Sequence, residues 1–98
     1  MTIKKTVSAN ALELAIAGRI DTTTAPQLEA ELKESIPGIT DLKMDFRDVE
    51  YVSSAGLRVI LAAQKQMNVQ GQMSISHVPQ DVMEVFDVTG FTDFLTIK

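Results

Sequence analysis

Ninety-eight residues allow one compact domain around a single core, because a chain of this size buries only about two-thirds of its unfolded surface. Hydrophobic residues at 45% and charged residues at 22% place it in the globular range, and the absence of cysteine excludes a disulfide framework and a thiolate metal site. Thirteen acidic residues against nine basic ones give a net charge of −4, with no basic cluster longer than Lys4-Lys5, which disfavours direct nucleic-acid binding.

Leu12, Leu14 and Ile16 alternate with Glu13 and Ala15, the period-two pattern of a half-buried strand. Ile3 to Val7 can pair with it through a turn near Asn10. After Gly18 the pattern changes. Thr24 followed by Gln27 has the form of a capping box, with Pro26 suited to a first turn, and Ala25, Leu28, Leu32 and Ile36 form an apolar stripe. The first helix is therefore expected to run to about Ser35 and to end at Pro37-Gly38.

Leu42, Met44 and Phe46 alternate again as a third strand, which leads through Val49, Tyr51 and Val52 to the pair Ser53-Ser54. Those three residues either extend the strand or pack beneath the loop. From Ser54 to about Met67, Leu57, Ile60 and Leu61 recur at helical spacing, with stop signals at Asn68 and Gly71. Met73, Ile75 and His77 alternate with serines as a fourth strand. Pro79 opens a third helix with Val82, Val85 and Phe86 inward, Gly90 closes it, and Phe94 to Ile97 is a short candidate last strand. The order β-β-α-β-α-β-α-β predicts a single α/β domain over residues 1–98, with about three helices on a mixed sheet of four to five strands. No apolar run approaches the roughly 20 residues needed to cross a bilayer, and Met1 to Lys5 lack a signal-peptide core. A cytoplasmic protein without membrane insertion is expected.

Few residues invite chemistry. The five glycines stand far apart, so neither a P-loop nor a dinucleotide fingerprint exists, and no cofactor is expected. His77 is the only histidine, which excludes a histidine-rich metal site, and its bland reading is local hydrogen bonding near a strand end. A hydrolase would need Ser54 as nucleophile, His77 as base and Asp21 or Asp45 as orienter. The local sequence Val52-Ser53-Ser54-Ala55-Gly56 lacks the first glycine of a G-x-S-x-G elbow. Asp41, Asp45, Asp48 and Glu50 do not have calcium-loop spacing. Met67, Met73 and Met83 with Phe86 are either a soft binding surface or, more commonly, core filling. The serine pair is the most informative feature. Ser53 or Ser54 can cap the following helix, a role worth about 1 kcal/mol, and the same free N–H groups tolerate an anion.

Gly18-Arg19-Ile20-Asp21 with Thr24-Ala25, then Asp45 to Val52, then Ser53 to Leu61 and finally Phe86, Gly90 and Phe91 resemble the STAS domain of bacterial anti-sigma factor antagonists. The resemblance implies a switch rather than an enzyme. The unmodified protein would bind an anti-sigma factor that is also a serine kinase and so release the sigma factor; phosphorylation would end that binding, and a PP2C-type phosphatase would reset it. The modified serine falls on Ser54. Asp21 matches an acidic residue near that serine, and Thr22, Ser53, Ala55, Gly56 and Arg58 become candidate partner contacts. Many members carry Asp where this chain has Ser53, which leaves Ser53 as a second acceptor. Members also commonly continue into a further C-terminal helix beyond the position of Lys98, so one flank of the sheet is expected to be covered differently or used for association. No oligomeric state is implied. The alternative within the fold is a stand-alone STAS binding subunit of a lipid-transport complex, without a phospho-switch.

Overall fold

The computed structural model describes residues 1–98 as β1 (Thr2–Ser8), β2 (Ala11–Ile20), α1 (Ala25–Ser35), β3 (Asp41–Val52), α2 (Ser54–Gln70), β4 (Gln72–Ser76) and α3 (Gln80–Val88), followed by a 3₁₀ turn over Phe91–Asp93. The sheet order is β1-β2-β3-β4, with β1 antiparallel to β2 and the remaining pairs parallel. Both parallel connections step the same way across the sheet. Because such crossovers are right-handed, α1 and α2 fall on one face. α3 joins that face through Phe86, whose ring centroid lies 6.3 Å from that of Phe46. The opposite face carries the exposed row Thr6, Glu13 and Lys43 in register.

The strand alternation sets the core. Leu12, Leu14 and Ile16 of β2 and Leu42, Met44 and Phe46 of β3 are each 1% exposed or less. Burial of one such side chain contributes about 2 kcal/mol, so a one-residue slip that turned the row outward would be prohibitive. α1 adds Ala25, Leu28 and Leu32, and α2 adds Leu57, Ile60, Ala63 and Met67. Met73 is also buried and Met83 is half-buried against the same core, so the methionines fill space rather than form a binding surface. Val49 and Val52 are buried within β3, which therefore runs without interruption to the serine pair.

Four expectations are corrected. Thr24 does not cap α1 through Gln27: it has helical backbone angles, φ −97° and ψ −21°, and its side chain makes no bond to the turn that follows. Pro26 has no N–H to offer, and the Gln27 N–H is taken by the Thr24 carbonyl at 3.0 Å. The reciprocal cap lies one turn earlier. Asp21 Oδ1 accepts from the Thr24 N–H at 3.0 Å, while Thr24 Oγ1 accepts from the Asp21 N–H at 2.8 Å.

Second, α2 continues past Met67 to Gln70. It stops where Gly71 passes so close to the Thr40 backbone that a Cβ would overlap it, while the Gln72 N–H donates to the Thr40 carbonyl at 2.9 Å. Third, β4 ends at Ser76, and His77 turns away with φ 54°. Fourth, the last strand shrinks to an isolated bridge between Ile97 and Ile75. Gly90 at φ 78° leads the chain into the 3₁₀ turn, and the Thr96 N–H is drawn to Gln64 Oε1 at 3.2 Å instead of continuing a ladder.

Candidate functional site

β2 and β3 end in register, Ile20 opposite Val52. The next residues, Asp21 and Ser53, therefore emerge side by side at one pole of the sheet. The Ser53 N–H donates back to the Ile20 carbonyl at 2.8 Å, tying the two strand ends together.

The two serines have different roles. Ser53 is the N-cap of α2, with extended backbone (φ −85°, ψ 174°), and its hydroxyl accepts from the Gly56 N–H at 3.3 Å. Ser54 is the first helical residue; it is exposed, and its hydroxyl bonds to no other group of the protein. Gly56 lets this turn approach β2 and β3: a Cβ there would lie 2.8 Å from Ile20 Cγ2, 2.9 Å from the Ile20 carbonyl oxygen and 3.1 Å from Val52 Cγ1.

Asp21 is bound up in the turn before α1. Its Oδ1 accepts from the Thr23 and Thr24 N–H groups, both at 3.0 Å, and Oδ2 lies 3.6 Å from Arg19 Nε. The Thr24 N–H holds the Asp21 carboxyl below the usual carboxylate range. The Thr23 N–H, the Thr24 hydroxyl and Arg19 act in the same direction, against the opposing effect of partial burial. Asp21 is an ionised capping residue. Thr22, Ala55 and Arg58 line one shallow hollow of about 250 Å³ between α1 and α2, together with Pro26, Glu29 and Val59. The seven sequence-predicted residues thus gather at the strand ends and the adjoining helix starts.

Two arginine contacts escaped the sequence reading, one at this pole and one remote from it. The Arg19 guanidinium lies 4.4 Å above the centre of the Tyr51 ring, a stack made by the pairing of Arg19 with Tyr51 across β2 and β3. Adjacent charged and aromatic residues on two parallel strands were legible separately, but not their register. The second is Arg47, whose Nη2 lies 3.1 Å from His77 Nε2. Because arginine only donates, Nε2 accepts, and the Nδ1–H donates to Asp45 Oδ1 at 3.2 Å. The Arg47 N–H, with help from His77, holds the Asp45 carboxyl below its ordinary range.

His77 and Asp45 do meet, but not Ser54. His77 follows Ser76, which pairs with Asp45, whereas Ser54 follows the far end of β3. At about 3.3 Å per residue the two sites are on the order of 20 Å apart, so no Ser-His-Asp triad forms. Asp41, Asp48 and Glu50 do not join Asp45 in a cluster of three or more metal-ligating side chains. A larger cleft, about 440 Å³, opens along the outer edge of β4 between Gln64, Asn68 and Lys98, away from the serine pair. No helix is long and apolar enough to cross a membrane.

A family model described as "Mlab, STAS domain" matches residues 3–97. The BtrV protein of Bordetella bronchiseptica is 36% identical over 84 residues, covering 84% of this chain and 72% of its own. The anti-sigma-B factor antagonist of Bacillus subtilis is 32% identical over 90 residues, covering 91% and 83%. In fold the chain is similar to the anti-sigma factor antagonist SpoIIAA, with a TM-score of 0.83 and 17% identity for the unphosphorylated form, over 99% of this chain and 88% of that one. For the phosphorylated form of the Bacillus protein the TM-score is 0.76 at 16% identity, over 99% and 91%. The chain belongs to the STAS-domain family of anti-sigma factor antagonists, which are regulatory binding proteins.

Proposed function

We propose that this protein is a cytoplasmic, non-catalytic switch. In its unphosphorylated form it binds an anti-sigma factor that is also a serine kinase, and phosphorylation of Ser54 ends the binding. The observation that carries the reading is the division of labour between the serines: the Ser53 hydroxyl is engaged by Gly56, and the Ser54 hydroxyl is exposed and free. In the transfer, Ser54 Oγ bonds to the γ-phosphorus of ATP, the bond to the ADP oxygen breaks, and the hydroxyl proton passes to a base of the kinase. A PP2C-type phosphatase hydrolyses the ester and restores the binding form.

The physical effect is local. A phosphate brings a charge of about −1.5 to −2 to a surface that had presented a neutral hydroxyl, so desolvation and repulsion oppose the complex. A loss of only about 1.4 kcal/mol weakens binding tenfold. The fold tolerates the same charge, because the first turn of α2 presents free N–H groups and a positive dipole end. SpoIIAA supports this reading, since its phosphorylated and unphosphorylated forms both share this fold.

The test is incubation with a kinase-type anti-sigma factor and ATP, followed by mapping of the phosphate by mass spectrometry. Ser53→Ala is expected to be modified and Ser54→Ala not, and phosphorylated wild type is expected to lose the complex. Phosphate on Ser53, or binding indifferent to phosphate on Ser54, overturns the reading. A second reading, a constitutive binding subunit such as that of a lipid-transport complex, is compatible with the family model, which is described only as "Mlab, STAS domain". That reading predicts the same partners for wild type and Ser54→Asp in affinity purification.

A further inference from the structure

We propose that Arg58 is the positioning residue that holds the phosphate once Ser54 carries one, an inference that rests on the reading of Ser54 as the modified serine. Three arginines are present, and two are engaged: Arg19 with Tyr51 and Asp21, and Arg47 with His77. Arg58 is exposed and makes neither a hydrogen bond nor an ion pair in the unmodified protein.

Its place on α2 supplies the geometry. Ser54 and Arg58 are four residues apart, which sets their Cβ atoms about 6 Å from each other on one helix face. Helical side chains lean toward the N-terminus, so the long Arg58 side chain, which lines the hollow beside α1, has the reach to turn back to a phosphate on Ser54. An anion placed four residues before a cation is the favourable order for such a pair. The guanidinium fork also matches phosphate oxygens, and both residues are already exposed, so the pair forms without burying a charge. Glu29 faces Arg58 across the hollow between α1 and α2, but its carboxylate is paired with Lys33 at 3.8 Å. Arg58 is thus uncommitted before the modification and gains its partner with the phosphate. The modification then acts twice on the partner surface: it adds negative charge and withdraws a free cation.

The experiment uses the full chain with phosphoserine built in at position 54 during synthesis, and follows the ³¹P shift through the second ionisation, near pH 6 for a free phosphoserine. Wild type is expected to have an acid dissociation constant about two- to threefold larger than Arg58→Gln, with Arg58→Lys in between. The difference is expected to shrink at 1 M salt, where the Debye length falls to about 3 Å. The helix terminus acts equally in all three proteins and cancels. Equal titration of wild type and Arg58→Gln overturns the proposal. No kinase enters this measurement, so a failure to phosphorylate Ser54 in the kinase assay and a failure of Arg58 to pair with the phosphate are read separately.

Discussion

Ser53 and Ser54 are chemically identical and adjacent, yet the backbone assigns them opposite roles. Ser53→Ala removes the N-cap of α2 and is expected to cost about 1 kcal/mol in urea unfolding. Ser54→Ala removes no bond and is expected to leave the midpoint nearly unchanged. A larger loss from Ser54→Ala than from Ser53→Ala would reverse the assignment. Asp21 adds a pH dependence. Its pKa is lowered in the folded protein, so its contribution is fully present above the ordinary carboxylate value of about 3.9 and is lost as pH falls through the lower folded value. Asp21→Ala is therefore expected to be less stable than wild type at neutral pH, and the gap between them is expected to close in thermal melts taken at progressively acidic pH. A gap that stays constant with pH would mean that Asp21 caps α1 without its charge.

At the scale of elements, α3 is the simplest case. It is held by Val82 and Phe86, the latter fully buried against Phe46, and it has no side-chain cap at Pro79. Phe86→Ala is expected to cost about 3–5 kcal/mol, enough to threaten a domain whose total stability is on the order of 5–15 kcal/mol. Phe86→Leu serves as the milder control, and equal midpoints for Phe86→Ala and wild type would show that α3 docks by other contacts. The start of α2 depends on a different constraint. Gly56→Ala places a methyl against Ile20 and Val52 and is expected to destabilise by about 1–3 kcal/mol through overpacking, despite the better helix propensity of alanine.

How well each element could be read from the sequence follows from what kind of force makes it. The alternation of Leu12, Leu14 and Ile16 and of Leu42, Met44 and Phe46 is a direct record of burial, so β2 and β3 were legible, as were the helical stripes of α1 and α2. Capping was legible only as a motif. Asp21-x-x-Thr24 and Thr24-x-x-Gln27 both offer reciprocal partners, and the first is realised because the Gln27 N–H that the later cap would need is taken by the Thr24 carbonyl. His77 at φ 54° bears no glycine or asparagine to announce the turn; Asp45 and Arg47, thirty or more positions earlier, hold it there. Ser54 was found as a candidate because it sits between a strand and a helix, whereas its distinction from Ser53 required the hydrogen bond to Gly56.

Over the whole molecule the sheet is unevenly supported. β2 and β3 each pair on both sides, while β1 pairs only with β2 and exposes most of its residues. Native-state hydrogen exchange is expected to show the slowest amides in β2 and β3 and markedly faster ones in β1, opening well below the global unfolding energy. Uniform protection across the four strands would instead indicate that β1 folds as one unit with the centre.

The pole opposite the serines is drawn together by backbone bonds and by Gln70, whose Nε2 donates to the Ile36 carbonyl at 2.8 Å and to the Ile39 carbonyl. The Asn10 carbonyl accepts from the Thr40 N–H at 2.9 Å, the Thr40 carbonyl accepts from the Gln72 N–H, and Gly71 passes against Thr40 where no side chain fits. Three strands therefore enter the sheet from one fastened point, and β2 and β3 shift register between Ala15 and Ala17 and again between Gly18 and Arg19 on the way to Asp21 and Ser53. The loops at that end carry the caps at Asp21 and Ser53, which hold the starts of the helices. On the proposed reading, substitutions at the exposed Thr22 or Arg58 leave those caps and the strand starts untouched, so a lineage of such domains can diversify its pairings at one end and inherit an unaltered frame from the other.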